Sequence, residues 1–241
     1  KNFIHQIGEN NREWMEKYWN PRDIVNEYID YYKLSLKKKI SHDLIRLEEK
    51  ISLSENIILI IANGPSASSK KYGQLIDKFK VIGRINNYTT DKYDNFIGSR
   101  TDIWFNGANQ GLKKRKNFPK KSVVLVPAEI LYEKEQRVIE RTPKRIGLPK
   151  EEYHLVSKEE MKSFESTSKI IRPTTGLSSI LWSLAHYEKV IIHGFDFFLN
   201  TQEHYYDSKV NKFFVNKGLI KRGTKHDNLA EKNFVQKLIK Q

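Results

Sequence analysis

The stretch "NIILIIANGPSASS" (56–69) decides the fold. Its first seven residues, "NIILIIA", form a continuous apolar, β-branched run, the signature of a strand buried on both faces. The run stops at Asn63-Gly64-Pro65. A Gly-Pro turn lets the backbone come close to a ligand, and Ser66 and the serines after it can cap a helix. The spacing is neither GxxxxGK[ST] nor GxGxxG, so neither a P-loop nor a dinucleotide fingerprint is present. An ordinary strand-to-helix turn fits this stretch as well.

Similar short runs follow at "KVIGRIN" (80–86), "TDIWFNG" (101–107), "SVVLVPA" (122–128) and "KVIIHGFDF" (189–197). Between the last two, Leu177, Ile180, Leu181, Leu184 and Ala185 keep the spacing of one helix face. Buried strands alternating with amphipathic helices predict an α/β domain with a mostly parallel sheet covered on both sides. Residues 56–241 are read as that domain. Residues 1–55 are polar and read as an N-terminal helical flank, with Trp14, Tyr18, Ile24, Tyr28, Tyr31 and Tyr32 at roughly helical spacing.

Composition sets the outer bounds. With 38% apolar and 30% charged residues in 241, the chain reads as a soluble globular protein. No run of about 20 apolar residues predicts a membrane-spanning helix, and no signal peptide is visible. Zero cysteines exclude disulfides, thiolate metal sites and a Cys nucleophile. The net charge of +14 suits an anionic partner: a nucleotide, a nucleic acid or an acidic membrane surface. The basic stretches at 37–39, 113–116 and 120–121 are short, scattered and not interleaved with aromatics, which argues against a nucleic-acid platform.

In a parallel sheet, ligands bind at the carboxyl ends of the strands. Asn63, Asn86 and Asn106 each stand at such an end, and three carboxamides there would suit a nucleobase or a ribose. Thr174-Thr175-Gly176 opens the amphipathic helix, and free N–H groups at a helix start attract phosphate or carboxylate. Asp196 closes the last strand in "HGFDFF". "HYYD" (204–207) then supplies His204 and Tyr205, and "HDNLAE" (226–231) supplies His226 and Glu231.

Together these residues resemble the sialyltransferases. "NGPS" running on to Arg84 and Asn86 is similar to the long motif of the animal-type family, and "RPTTG" with Gly194-Phe195 to the short one. "HYYD" resembles the third motif, and His226 with Glu231 the His-x4-Glu motif. "NGPS", "FNG" and "DFF" look more like the small bacterial enzymes. The motifs fall in the family's order over residues 56–234. Three departures stand out. The disulfide of the animal enzymes would fall near Ile58 and Tyr187 and is absent, which points to a bacterial or viral enzyme. Thr174 stands where serine is usual, and residues 108–170 match no acceptor-binding pattern.

The resemblance implies a single Rossmann-like, GT-A-variant domain that moves sialic acid from a CMP-sugar to a glycan hydroxyl with inversion. It implies His226 as general base, helped or flanked by Glu231. His204, Thr175 and Gly176 would face the leaving phosphate, and Asn63, Gly64, Ser66, Asn86, Asn106, Thr174, Asp196 and Tyr205 would line the donor site. An imidazole suits proton abstraction because its ordinary pKa, about 6.5, lies near working pH. No Asp-x-Asp motif occurs, in keeping with the family's metal independence, and no cofactor is expected. Glu231 is read either as orienting the imidazole or as complementing a helix start.

CMP-Kdo or another CMP-nonulosonate is an alternative donor, as in bacterial surface-glycan synthesis. A pyrophosphokinase-like enzyme and a nucleic-acid-binding protein are more distant alternatives. The acceptor would be a glycan or lipid-linked sugar, and no nucleic-acid partner is expected. A cytoplasmic protein peripheral to an acidic inner membrane is compatible with the basic charge.

Overall fold

The computed structural model describes residues 54–199, 203–217, 219 and 226–240. Apart from its last two residues, the expected N-terminal flank (1–55) lies outside them. Six strands form one sheet: β1 (Ile57–Ile61), β2 (Val81–Ile85), β3 (Ile103–Asn106), β4 (Lys121–Val124), β5 (His154–Leu155) and β6 (Lys189–His193). Their order is β5-β4-β3-β2-β1-β6, and every pairing is parallel. The α/β sheet expected from the apolar runs is therefore present. β5 was not foreseen, because two residues make no readable run.

Seven α-helices occur among the described residues: α1 (Gly73–Ile76), α2 (Asp94–Ile97), α3 (Ala128–Ile146), α4 (Lys158–Ser168), α5 (Thr175–His186), α6 (Lys209–Asn216) and α7 (Asn228–Lys240). β1 shows why its sequence is apolar throughout. Ile58 and Ile60 join the larger core with Trp104, Phe105 and the α5 residues Leu177, Leu181 and Trp182. Leu59 and Ile61 join a second core with Ile76, Phe79, Ile97 and Tyr205 on the other side of the sheet. Alternate residues of a strand face opposite ways, so a strand covered on both sides admits no polar position.

Arg84 of β2 is a buried charge in the sheet, at 1% exposure. Its Nη2 donates to the carbonyls of Ile97 (2.6 Å) and Gly98 (3.1 Å), and its Nε to Arg100 O (3.1 Å) and Thr101 Oγ1 (3.0 Å). The guanidinium thus closes the turn between α2 and β3, and burial lowers its pKa.

The chain moves outward from β1 through β2, β3, β4 and β5, then returns to lay β6 on the opposite side of β1. The strand order therefore reverses at β1, and the crevice at the carboxyl end of such a switch point is the natural ligand site of the fold. His193, at the end of β6, is kept below its ordinary pKa mainly by burial and bonds Ala67 O through Nε2 at 3.0 Å. Its role is to pin the turn after β1.

Candidate functional site

A cleft of about 430 Å³ opens at that switch point. Its walls come from the residues after β1 (Ala62–Gly64), after β2 (Asn86, Asn87), after β6 (Gly194–Phe198) and from the start of α5. That volume lies within the usual range of small-molecule sites, about 300–1,000 Å³.

Two of the three predicted carboxamides reach the cleft. Asn63 anchors through Nδ2 to Ile85 O at 2.9 Å, and its buried Oδ1 has no hydrogen-bond partner among the described residues. Asn86 accepts from Gly107 N at 3.1 Å and adopts φ 48°. Asn106 does not line the cleft. It is fully buried, and its Oδ1 holds Ala108 N at 3.1 Å. As the last residue of β3 its side chain points into the core, so its position in the chain is right and its facing is not.

The loops after β1 and β6 are locked together. Gly64 N donates to Gly194 O at 3.0 Å, and Ser66 N donates to Asp196 Oδ2 at 2.9 Å. A Cβ on Gly64 would fall 2.3 Å from Asp196 Oδ2, and one on Gly194, at φ +73°, 2.6 Å from the Ala67 Cβ. Glycine at both places is what lets the loops close. Asp196 lies beyond the end of β6 at His193, not on the strand as expected. Asp196 borders the cleft, whereas Ser66 is exposed outside it and contributes its backbone N–H.

α5 presents the third wall. Thr174 is its N-cap, with Oγ1 accepting from Leu177 N at 3.1 Å, and Thr175 and Gly176 line the cleft. Glu231 of α7 grips the same residue twice: Thr174 N donates to Oε1 and Thr174 Oγ1 to Oε2, both at 2.6 Å. The Thr174 hydroxyl therefore gives its proton to Glu231 and turns a lone pair to the helix. Glu231 is 2% exposed; burial raises its pKa, opposed by these two bonds. Of the two roles expected for Glu231, this contact is the helix-start one, made to α5 rather than to its own helix.

His226 also reaches across to that segment, 2.7 Å from Nδ1 to Arg172 O. A carbonyl can only accept, so Nδ1 carries a proton in this contact, and in the neutral imidazole the lone pair is on Nε2. Arg172 stands at φ 56°, a left-handed backbone that costs energy for a non-glycine residue. Of the seven non-glycine residues with positive φ among those described, five border this cleft or the cavity beside it: Asn86, Ala108, Arg172, Phe197 and Phe198. Strain concentrated in this way marks a functional region.

"HYYD" is divided between site and scaffold. His204 and Tyr206 border the cleft, their rings 5.1 Å apart. Tyr205 does not: it is 4% exposed, and its hydroxyl donates to Thr89 O at 2.7 Å. Burial pushes its phenol up to about 12, so it stays a neutral brace for the loop after β2. Asp207 closes the turn by accepting from His204 N at 2.7 Å. Tyr205 and Tyr206 sit in the turn that Asp207 N closes onto His204 O, and the turn sends Tyr205 into the core while Tyr206 borders the cleft, which the sequence pattern did not reveal.

Among the residues not foreseen are Asn87, Asn109 and the aromatics Phe197 and Phe198. Asn87 carried a signal in the doubled Asn of "RINN"; it accepts from Lys113 N and donates to Gly111 O, both at 2.7 Å. Among the described residues no group of three or more His, Asp or Glu is placed to hold a metal ion, and no helix is long and apolar enough to cross a membrane.

Comparison with known proteins adds a family. The profile of Glycosyltransferase family 29 (sialyltransferase) matches residues 3–241. The β-1,6-galactosyltransferase GALT29A of Arabidopsis thaliana is 24% identical over 206 residues, covering 69% of this chain and 52% of the relative. The chain thus spans about half the length of the curated relative it matches. A mammalian sialyltransferase in complex with Gal-β-1-3GalNAc-ortho-nitrophenol superposes with a TM-score of 0.55 at 17% identity, covering 88% of this chain and 82% of the other. The sialyltransferase CstII of Campylobacter jejuni, in complex with the substrate analogue CMP-3FNeuAc, gives a TM-score of 0.49 at 18% identity over 76% and 78% of the two chains. The fold is shared with the mammalian enzyme, as the Rossmann-like reading required.

Proposed function

We propose that this chain, which belongs to glycosyltransferase family 29, the sialyltransferases, moves sialic acid from CMP-sialic acid to a glycan hydroxyl with inversion and without a metal ion. The observation that carries this reading is His226. It stands where the cleft meets a neighbouring cavity, with Nδ1–H spent on Arg172 O and Nε2 left to accept a proton. The acceptor oxygen attacks the anomeric carbon as its proton passes to Nε2. The bond from that carbon to the phosphate oxygen breaks, and CMP leaves with the electron pair.

The leaving phosphate is held by the amides of Thr175 and Gly176 at the start of α5 and by His204, donors that need no reorganisation during the reaction. Asn63 Oδ1, the unpartnered acceptor, suits a ribose hydroxyl or an exocyclic amine of the nucleotide. Glu231 is a positioning residue, acting through Thr174. CMP-Kdo remains an alternative donor, and the curated relative named as a galactosyltransferase adds a nucleotide-galactose to the candidates.

The test is to incubate the protein with CMP-Neu5Ac, CMP-Kdo or a nucleotide-galactose and a glycan panel, with and without EDTA. Acceptor-stimulated CMP release from CMP-Neu5Ac, unchanged by EDTA, is expected. No release from any donor, with no CMP binding, would overturn the reading; release stopped by EDTA would overturn metal independence.

The net charge of +14 also suits a protein resting on a cytoplasmic, acidic membrane surface beside a lipid-linked acceptor. Co-sedimentation with acidic-lipid vesicles, lost at high salt, is the expected result. Absence of sedimentation at low salt removes this part of the proposal.

A further inference from the structure

A second cavity, of about 400 Å³, adjoins the cleft. Asn109, Thr175 and His226 belong to the walls of both. Its floor is apolar, from Leu125, Pro127 and Ile130. Its remaining wall carries Lys134, Arg137, Arg141, Arg145 and Arg172, and no Asp or Glu lines it. Arg137, Arg141 and Arg145 stand four apart on α3 and therefore share one helix face.

Two of the five cations have structural work. Arg145 Nη1 donates to Ala108 O at 2.7 Å, and Arg172 Nε lies 3.3 Å from Glu129. Lys134 pairs with its neighbour Glu133 at 3.3 Å. Arg137 and Arg141 enter none of the ion pairs among the described residues. Like charges four residues apart on a helix disfavour it. Two such arginines facing a cavity with no carboxylate make a place for an external anion. The guanidinium fork binds a carboxylate or phosphate through two parallel hydrogen bonds.

We propose that this cavity is the acceptor site, and that Arg137 and Arg141 select an acceptor saccharide bearing a carboxylate or a phosphate near the hydroxyl that is glycosylated. The inference rests on His226 being the base: a sugar seated in the cavity has its hydroxyl at the shared wall, across from the donor. The basic wall is concave and adjoins the imidazole, which suits a small anion on a sugar rather than a flat lipid surface.

The experiment uses three matched acceptors on one β-galactoside: neutral, with a uronic acid, and with a phosphate ester. Calorimetry on the CMP-loaded protein gives binding; transfer assays give acceptor and donor KM. At least one anionic acceptor is expected to bind at least about tenfold more tightly than the neutral one, with the difference shrinking as salt rises. The uronate and phosphate arms tell which group is recognised. Arg137→Gln with Arg141→Gln is expected to abolish the preference and raise acceptor KM. Arg137→Lys with Arg141→Lys, which keeps the charge but not the fork, is expected to keep part of it.

Equal binding of all three acceptors overturns the inference, as does a preference that survives the glutamine pair. A glutamine pair that raises donor KM instead also overturns it, since the cavity would then hold the donor. Binding is read without turnover. Absence of transfer from every donor would therefore sink the transferase reading, while the anion preference and its loss in the variants still decide the cavity.

Discussion

His226→Ala is expected to lower the transfer rate by about 10²–10⁴-fold, the usual contribution of a general base, while CMP affinity stays near that of the unaltered protein. The side chain reaches the site from outside the core, and its one backbone bond is to Arg172 O. Its loss therefore removes a proton acceptor without dismantling the nucleotide cleft. The measurement is a pair: kcat with saturating donor and acceptor, and CMP binding by calorimetry. Normal turnover by the variant would remove His226 from the mechanism. Glu231 gives the contrast. Glu231→Ala strips Thr174 of both partners and is expected to weaken CMP binding, because the start of α5 loses its fixed geometry. Glu231→Gln keeps an acceptor for Thr174 and is expected to restore most of that binding and most of the transfer. If the glutamine variant binds CMP normally but has lost transfer and the acid limb of its pH profile, Glu231 takes part in proton transfer and is more than a positioning residue.

Arg84→Ala is expected to cost about 3–5 kcal/mol of stability, from the cavity it leaves and the carbonyls it orphans. Four acceptors in the α2–β3 turn depend on that one guanidinium. For a chain of this size such a loss lowers Tm by on the order of 10 °C. Arg84→Lys is expected to recover little, since an ammonium cannot span carbonyls placed for a planar fork. Thermal unfolding followed by circular dichroism checks both. A melting point within about 2 °C of the unaltered protein would mean that the turn finds other donors and that Arg84 is not its keystone. The resemblance placed Arg84 within the long motif and gave it no role of its own; the structure puts its charged end in the turn between α2 and β3, with burial lowering its pKa.

The apolar runs and the single amphipathic helix were enough to read a parallel sheet, because hydrophobic periodicity is a local property. β1 is apolar at every position since both of its faces are covered; α5 keeps its apolar residues at helical spacing, yet it is buried on every side over 177–183, Ser178, Ser179 and Ser183 included. The same reasoning located most of the cleft: residues just past strand ends gather at a switch point whatever their type. It failed where side-chain direction mattered. Asn106 and Tyr205 lie beside site residues in the chain and turn into the core: Asn106 because one step along a strand reverses the facing, Tyr205 because the turn at 204–207 sends it inward.

The sequence by itself determined five of the six strands, the glycine turn at Gly64, the helix start at Thr174 and the order of motifs that identifies the family. Only the tertiary structure decided what those motifs do to one another. Arg172 and Thr174 lie 54 and 57 residues from the partners that engage them, His226 and Glu231, and no periodicity encodes a contact at that distance. The tautomer of His226, the double bond from Glu231 to Thr174 and the line of arginines facing the same imidazole all follow from how α7, α5 and α3 pack around the sheet. Packing brings together groups that local pattern leaves independent, and the chemistry of the site depends on that meeting.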